Sequence, residues 1–136
     1  MSNSIQVSQD RSLYNSISQN LVEKMSSFGN LATLTQSESL YIESYRKITN
    51  VISMILEFPD SMQDPMKFSS FYNLAITAPR IAIDLVGRTA TEITNKSDTQ
   101  SIALKEECIA IGLLALCTIV QVEKLKADTG LPIVRV

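Results

Sequence analysis

The chain has 136 residues, which is enough for one domain with a single hydrophobic core. Its 12 basic and 14 acidic residues give a net charge of −2, and the basic residues are scattered along the chain. A protein that binds nucleic acid by releasing counterions usually carries a basic surplus, so general binding to DNA, RNA or anionic lipid is not expected. Hydrophobic residues make up 45% of the chain, with only four glycines and four prolines, which excludes a disordered chain and disfavours an all-β fold.

Residues 1–9 are rich in Ser, Asn and Gln and are predicted to form a flexible segment. They lack the basic start and apolar run of a secretory signal, so a cytoplasmic location is expected. Asp10 can cap a first helix, and Gly29 supplies the residue type that commonly ends one. The apolar stripe of this helix consists of Leu13, Ile17, Leu21, Met25 and Phe28.

A second helix is predicted to begin at Thr35–Glu38, where a hydroxyl followed three residues later by a carboxylate forms a reciprocal cap. It should run to Phe58, because Pro59 prevents its continuation. Glu43 and Lys47 are spaced to form an ion pair on its solvent side.

Asp64 and Pro65 resemble an N-cap followed by a proline at the first helical position, which predicts a third helix reaching about Thr77. Pro79 is expected to separate it from a fourth helix that ends near Thr94. The apolar alternation after Pro79 could also form a strand. The helical stripe consists of Ile81, Leu85, Val86, Ala90 and Ile93.

The last helix is predicted to begin at a second reciprocal cap, Ser97 with Gln100, and to run to about Ala127 before Gly130. Residues 108–120 within it are uncharged and apolar on nearly all sides. Crossing a bilayer takes roughly 20 apolar residues, so this shorter run predicts a central core helix and no membrane span. Its first apolar stripe consists of Ile109, Leu113, Leu116 and Val120.

These elements predict an all-α fold: a compact antiparallel bundle of about five helices around a central apolar helix, with short extended termini. The predicted segments are a flexible start (1–9), the bundle (10–128) and an extended tail (129–136). The tail is apolar and β-prone, so it either lies against its own bundle or is donated to a partner. Ile133 and Val134 are therefore candidate partner contacts.

The sequence offers little for catalysis. It contains no histidine, which removes the commonest general base and metal ligand. Cys108 and Cys117 lie nine residues apart on one helix, where they cannot bond to each other, and are expected to be small buried core residues. The four glycines are isolated, so no phosphate-binding loop is present. No enzymatic activity, cofactor or metal is expected.

Two sets of basic residues could contact a partner. Arg80, Asp84 and Arg88 recur every four residues, either as surface ion pairs or as two guanidinium groups held for a carboxylate or a phosphate. Arg46 and Lys47 lie beside tyrosine rings on the second helix, where the rings either pack at the core edge or stack on a nucleic-acid base.

The absence of catalytic groups and the surplus of hydrophobic residues favour a non-catalytic assembly or interaction subunit of a homo-oligomer or larger complex. The alternative is a small helical subunit of a nucleoprotein complex that contacts RNA or DNA through its Arg and Lys side chains. Small subunits of CRISPR effector complexes are similar in size and helix content, although none of their motifs matches this chain residue by residue.

Overall fold

The computed structural model describes residues 4–34, 39–60 and 62–134, and the side chains of these residues outside 30–42. Within these ranges the chain forms helices and no strand, so the predicted all-α class is confirmed. The four helices are α1 (Ser4–Leu34), α2 (Ser39–Leu56), α3 (Pro65–Glu92) and α4 (Thr99–Thr129).

The helices pack in a ring, in which each helix contacts its neighbours in chain order and α4 returns to α1. Contacts near the helix ends show that α1 and α4 run antiparallel. Lys124, late in α4, reaches Asp10, early in α1, at 2.9 Å, whereas Lys24 reaches Glu107 at 3.3 Å. The core lies inside this ring and includes Leu21, Phe28, Ile52, Phe71, Ala82 and Ile111, all at most 2% exposed.

The predicted third and fourth helices are one continuous helix, so the prediction of about five helices is wrong by one. Pro79 is buried inside α3 and does not end it. An internal proline removes a backbone hydrogen bond and costs about 3 kcal/mol. The apolar stripe keeps one helical register across the proline, because Phe71 and Ala75 before it and Ala82 after it are all buried. Packing of this stripe offsets the cost of the proline.

α1 is longer at both ends than the sequence predicted. It begins at Ser4, so Asp10 lies inside the helix and is not its cap. It also continues through Gly29 to Leu34, although a glycine inside a helix costs roughly 0.5–1 kcal/mol. Burial of Phe28, which is 0% exposed, helps to hold this part of the helix in place.

Two predicted helix ends are confirmed. Asp64 accepts a hydrogen bond from the Met66 amide at 3.0 Å, and Pro65 is the first residue of α3. Gly130 follows α4 with a φ of 67°, a left-handed conformation that favours glycine.

The predicted reciprocal cap at Ser97 is wrong. The N-cap of α4 is Asp98, whose carboxylate accepts the Ser101 amide at 3.0 Å. A carboxylate is also favoured at a helix N-terminus by the helix dipole. The other reciprocal cap, at 35–38, lies outside the described residues.

The prediction of a central apolar helix wrapped by the others is also wrong. α4 lies beside α1 and α3 in the ring, and four of its large aliphatic side chains are 53–68% exposed. In a ring of four helices, each helix turns one side toward the core and the other toward solvent. Gly112 of α4 has no atom of another described helix within 4 Å of the position that a Cβ would occupy.

A buried arginine joins α1 to the loop between α2 and α3. Arg11 is 1% exposed and donates hydrogen bonds to the carbonyl oxygens of Phe58 and Pro59, both at 2.9 Å. Its guanidinium carbon lies 4.5 Å from the ring centroid of Phe71, and the Asp60 carboxylate is 3.7 Å away. Burial lowers the pKa of the guanidinium, and the attraction of Asp60 opposes that change. Arg11 therefore ties this end of the bundle together.

Replacing Arg11 should destabilise the fold. We expect Arg11→Met to lower the free energy of unfolding by about 2–4 kcal/mol, because two backbone carbonyl groups lose the charged donor that ties them to α1. Urea unfolding followed by circular dichroism measures this change. The control is Arg46→Met, at an exposed position on α2, which should change stability by less than about 0.5 kcal/mol. Equal losses in both variants would contradict the role given to Arg11.

A second polar contact joins α1 to α4. The Asp10 carboxylate accepts hydrogen bonds from Lys124 and Gln6, each at 2.9 Å, and its carbonyl oxygen accepts one from Gln121 at 3.0 Å. Burial has the largest single effect and raises the pKa of this carboxyl. Hydrogen bonds with Asp128, Lys124 and Gln6 together outweigh it, so the pKa lies below its ordinary value of 3.8.

This depressed pKa predicts the sign of a pH effect on stability. A carboxyl with a lower pKa in the folded state contributes stability that is present above its unfolded pKa and is lost as the pH falls through the folded pKa. We expect Asp10→Asn to lower the free energy of unfolding by about 1–2 kcal/mol at neutral pH. Below about pH 4 this variant should lose less stability than the wild type. Urea titrations at several pH values test this. Asp84→Asn, in an exposed ion pair, is the control, and identical pH profiles for Asp10→Asn and the wild type would refute the assignment.

Candidate functional site

α4 has large aliphatic side chains on two opposite faces, of which one is buried and the other is exposed. The inward face carries Leu104, Ile111, Val122 and Leu125, and between them small or polar side chains such as Cys108, Ala115 and Thr118. Ile102, near the start of α4, is 46% exposed, and further along the outward face four large aliphatic side chains are 53–68% exposed. These four residues fall within about 60° around the helix axis and extend about 17 Å along it. We call them the outer strip: Ile109, Leu113, Leu116 and Val120.

The outer strip is exposed, although the sequence predicted that α4 is covered on all sides. The sequence predicted these four residues as a core stripe, whereas the structure buries the face that holds Ile111 and Val122. The small side chains of that inward face let α1 and α3 approach α4 closely. Its polar neighbours also point toward α1, because Gln121 and Lys124 bond to Asp10. These contacts set the rotation of α4.

An apolar groove between α3 and α4 adjoins the outer strip. It has a volume of about 460 Å³ and is open to solvent. Ile109 belongs to both the strip and the groove, so the two form one continuous surface. Other residues that line it are Ile83, Gly87 and Ala90 of α3 and Cys108 of α4.

A lysine and a glutamate lie next to each other at each end of the strip. Lys105 and Glu106 precede it, and Glu123 and Lys124 follow it. Lys105 donates to two backbone carbonyl oxygens just after α3, at 2.6 and 3.1 Å. The Tyr72 hydroxyl donates a hydrogen bond to Glu123. Burial, as the larger cause, and this hydrogen bond together raise the pKa of Tyr72 to about 12. The apolar surface therefore has a charged boundary of both signs at each end.

The predicted ladder on α3 is only half formed. Arg88 and Asp84 are paired at 3.1 Å, with both side chains 60% exposed, as expected for a surface ion pair. Across the described residues no ion pair joins Arg80 to Asp84. Arg80 lies near the α4 side of α3. Its positive charge lowers the pKa of Tyr72, but burial and Glu123 raise that pKa by more.

The basic residues of α2 lie elsewhere. Lys47 pairs with Glu43 at 3.9 Å, which confirms the predicted surface pair. Arg46 lines a groove between α1 and α2 together with Met25 and Ser26. Arg46 therefore lies at the α1 side of α2, whereas Arg80 lies at the α4 side of α3. The structure does not bring these basic groups together in one patch.

The described part of the C-terminal tail lies against its own bundle. Leu131 and Ile133 are partly buried and pack on the core. The Val134 amide donates to the Ser69 hydroxyl at 2.7 Å. Ile133 and Val134, which were candidate partner contacts, thus use much of their surface within the chain.

The sequence did not identify the outer strip as exposed, although it contained the signal. A helix that is apolar on nearly all sides can be covered completely only by neighbours on every side. Four helices in a ring leave one side of each helix uncovered, so the exposed strip follows once the helix count is known.

Two further findings concern α4 and metal binding. Among the residues that the structure describes, α4 is the one helix that is long and apolar enough to cross a membrane, judged by length and composition. The same residues include no group of three or more His, Cys, Asp or Glu side chains that could hold a metal ion. Hydrogen bonds from Gln121 and Lys124 to Asp10 connect α4 to the rest of the bundle. The absence of a membrane span stays a prediction.

Comparisons with protein-family models, curated proteins and solved structures gave no match.

The two cysteines should differ in reactivity. Cys117 is exposed beside the outer strip, whereas Cys108 is buried. Burial is the larger cause and the nearby Glu107 the smaller one that together raise the pKa of Cys108 to about 11. We expect one thiol per chain to react quickly with a disulfide reagent at low protein concentration and the other at least about 100-fold more slowly. Absorbance of the released thiolate measures both phases. Cys117→Ser should remove the fast phase and Cys108→Ser should keep it; the opposite pattern would show that α4 is rotated.

Proposed function

We propose that this protein is a non-catalytic helical subunit that binds another protein chain through the outer strip and the adjoining groove. The observation that carries the proposal is the exposure of four large aliphatic side chains on one face of α4. Contiguous apolar patches on soluble proteins usually mark interaction sites. The absence of histidine from the sequence supports a role without catalysis.

The size of the strip indicates how such an interface must be built. Burying a fully exposed Val, Leu or Ile stabilises a complex by about 1.5–3 kcal/mol, so four half-exposed side chains contribute roughly 4–6 kcal/mol. Loss of rotational and translational freedom on association costs an estimated 4–15 kcal/mol. The strip alone therefore gives a weak complex at best. A partner must also cover the groove and contact the charged residues at the strip ends.

The alternative of a nucleoprotein subunit has less support. Arg88 and Lys47 have carboxylate partners within the chain, and Arg46 and Arg80 lie on separate edges of the bundle. A protein that binds the phosphate backbone of a nucleic acid usually needs several unpaired basic groups in one patch. The protein-binding function is therefore the one we propose.

Polar substitutions in the strip test this proposal. We expect Leu113→Gln combined with Leu116→Gln to weaken association with protein partners by about 30- to 100-fold, because two central apolar contacts are lost. The tagged chain is isolated from its native source, and the proteins that accompany it, including untagged copies of itself, are quantified by mass spectrometry.

The control is Leu74→Gln combined with Ile81→Gln, on the outer side of α3, where both side chains are also exposed. This variant should keep the partners of the wild type. Both variants should keep the helical circular dichroism spectrum, because exposed residues contribute little to folding. If the strip variant binds the same proteins in the same amounts as the wild type, the proposed function is wrong.

A further inference from the structure

We propose that the chain which covers the outer strip is a second copy of this protein, bound α4 against α4 in antiparallel orientation. This inference rests on the proposed function, because it names the partner of that same surface. The twofold axis passes beside the midpoint between Leu113 and Leu116. Two observations support a second copy: the spacing of the strip and the charges at its ends.

The spacing of the strip is the same in both chain directions. Its residues are separated by four, three and four positions. A twofold axis at the centre therefore places Leu113 opposite Leu116 of the second copy and Ile109 opposite its Val120. Each aliphatic side chain of the strip then faces an aliphatic side chain of the second copy, which gives four apolar pairs along the two helices. No large aliphatic side chain of the strip faces a charged residue.

The residues beside the strip allow close approach of the two helices. On the α1 side, Ala110 would lie opposite Cys117 of the second copy, and both side chains are small. On the α3 side, Gly112 would lie opposite the partly buried Ile119 of the second copy, so a small residue meets a large one. Gly112 has open space where a Cβ would be, which leaves room for that contact.

The charges at the strip ends are complementary in this orientation. Glu106 and Lys124 are 18 residues apart, about five full helical turns, so they lie on the same side of α4. An antiparallel twofold pair brings residues on the same side together, which places Glu106 beside Lys124 of the second copy. Lys105 and Glu123 have the same separation on the other side. Four intermolecular ion pairs therefore become available.

The lysines at these positions can accept the new partners. Each ammonium group has three donors, and within the chain Lys105 and Lys124 each use two of them. One donor on each lysine remains for a carboxylate of the second copy. Ion pairs at the rim of an interface contribute little affinity but select the partner and its register.

The available area indicates a weak dimer. Each half-exposed aliphatic side chain of the strip presents roughly 100 Å² of apolar surface, so two strips supply about 800 Å². A stable interface buries about 1,200–2,000 Å² in total, so the remainder comes from the flanking residues and the groove. Dissociation in the micromolar range is therefore expected. Opposed helix dipoles favour the antiparallel over the parallel pair.

Sedimentation equilibrium over low to high micromolar concentrations tests the proposal with the full chain. We expect a reversible monomer–dimer equilibrium for the wild type and for the Leu74→Gln, Ile81→Gln control. Leu113→Gln combined with Leu116→Gln should raise the dissociation constant at least about 30-fold. Glu106→Lys combined with Glu123→Lys should raise it about tenfold, because all four ion pairs become repulsive.

Cysteine cross-linking tests the orientation. In a Cys117→Ser background, Leu113→Cys and Leu116→Cys chains are mixed and oxidised at high concentration. The antiparallel dimer should give mainly mixed disulfides between the two variants. Mainly like-with-like disulfides would overturn the antiparallel register.

The outcomes separate this inference from the proposed function. A wild type that stays monomeric at every concentration overturns the second copy as partner. If the strip variant then still loses another protein in the pull-down, the proposed function stands with a different partner. A monomer that floats with vesicles of phosphatidylcholine and phosphatidylglycerol, and loses this binding in the strip variant, would identify lipid as the occupant and overturn both claims.

Discussion

A ring of four helices can cover only the inward side of each member, and this geometric constraint decides which apolar surfaces of the molecule stay exposed. α4 is apolar on nearly all sides, yet among the described helices only α1 and α3 lie beside it in the ring. One of its apolar faces must therefore meet solvent or another molecule. The inward face already holds Leu104, Ile111, Val122 and Leu125, so the aliphatic side chains of the outer strip are apolar surface that the bundle does not also cover.

Polar contacts help to fix which of the two apolar faces of α4 is inside. Gln121 and Lys124 bond to Asp10 of α1, and rotating α4 to bury the outer strip would break both contacts. Such a rotation would leave the buried Asp10 carboxylate without its cation, which costs more than a surface charge pair is worth. Arg11, one residue further along α1, holds the neighbouring loop through backbone carbonyls. The start of α1 thus fixes both the end of the bundle and the orientation of its most apolar helix.

Some features could be predicted from the sequence because they depend on the local chemistry of a few residues. Asp64 with Pro65 and the left-handed Gly130 mark helix ends through their own backbone preferences, so the sequence located them. The helix break predicted at Pro79 is wrong, because the cost of the proline is local, whereas the packing that offsets this cost comes from the rest of the bundle. The periodicity identified both faces of α4 but could not decide which one is inward. That decision depends on the partners of Asp10, which are 111 and 114 residues away in the chain.

The most direct test of this account is the solvent exposure of individual leucine methyl groups. A soluble paramagnetic agent broadens the NMR signals of exposed methyls in methyl-labelled protein at low micromolar concentration. The account predicts strong broadening for Leu113 and Leu116, little for the buried Leu104 and Leu125, and protection of the first pair when the protein is concentrated. Broadening of Leu104 and Leu125 with protection of Leu113 and Leu116 in the dilute sample would contradict it, since α4 would then turn the outer strip inward.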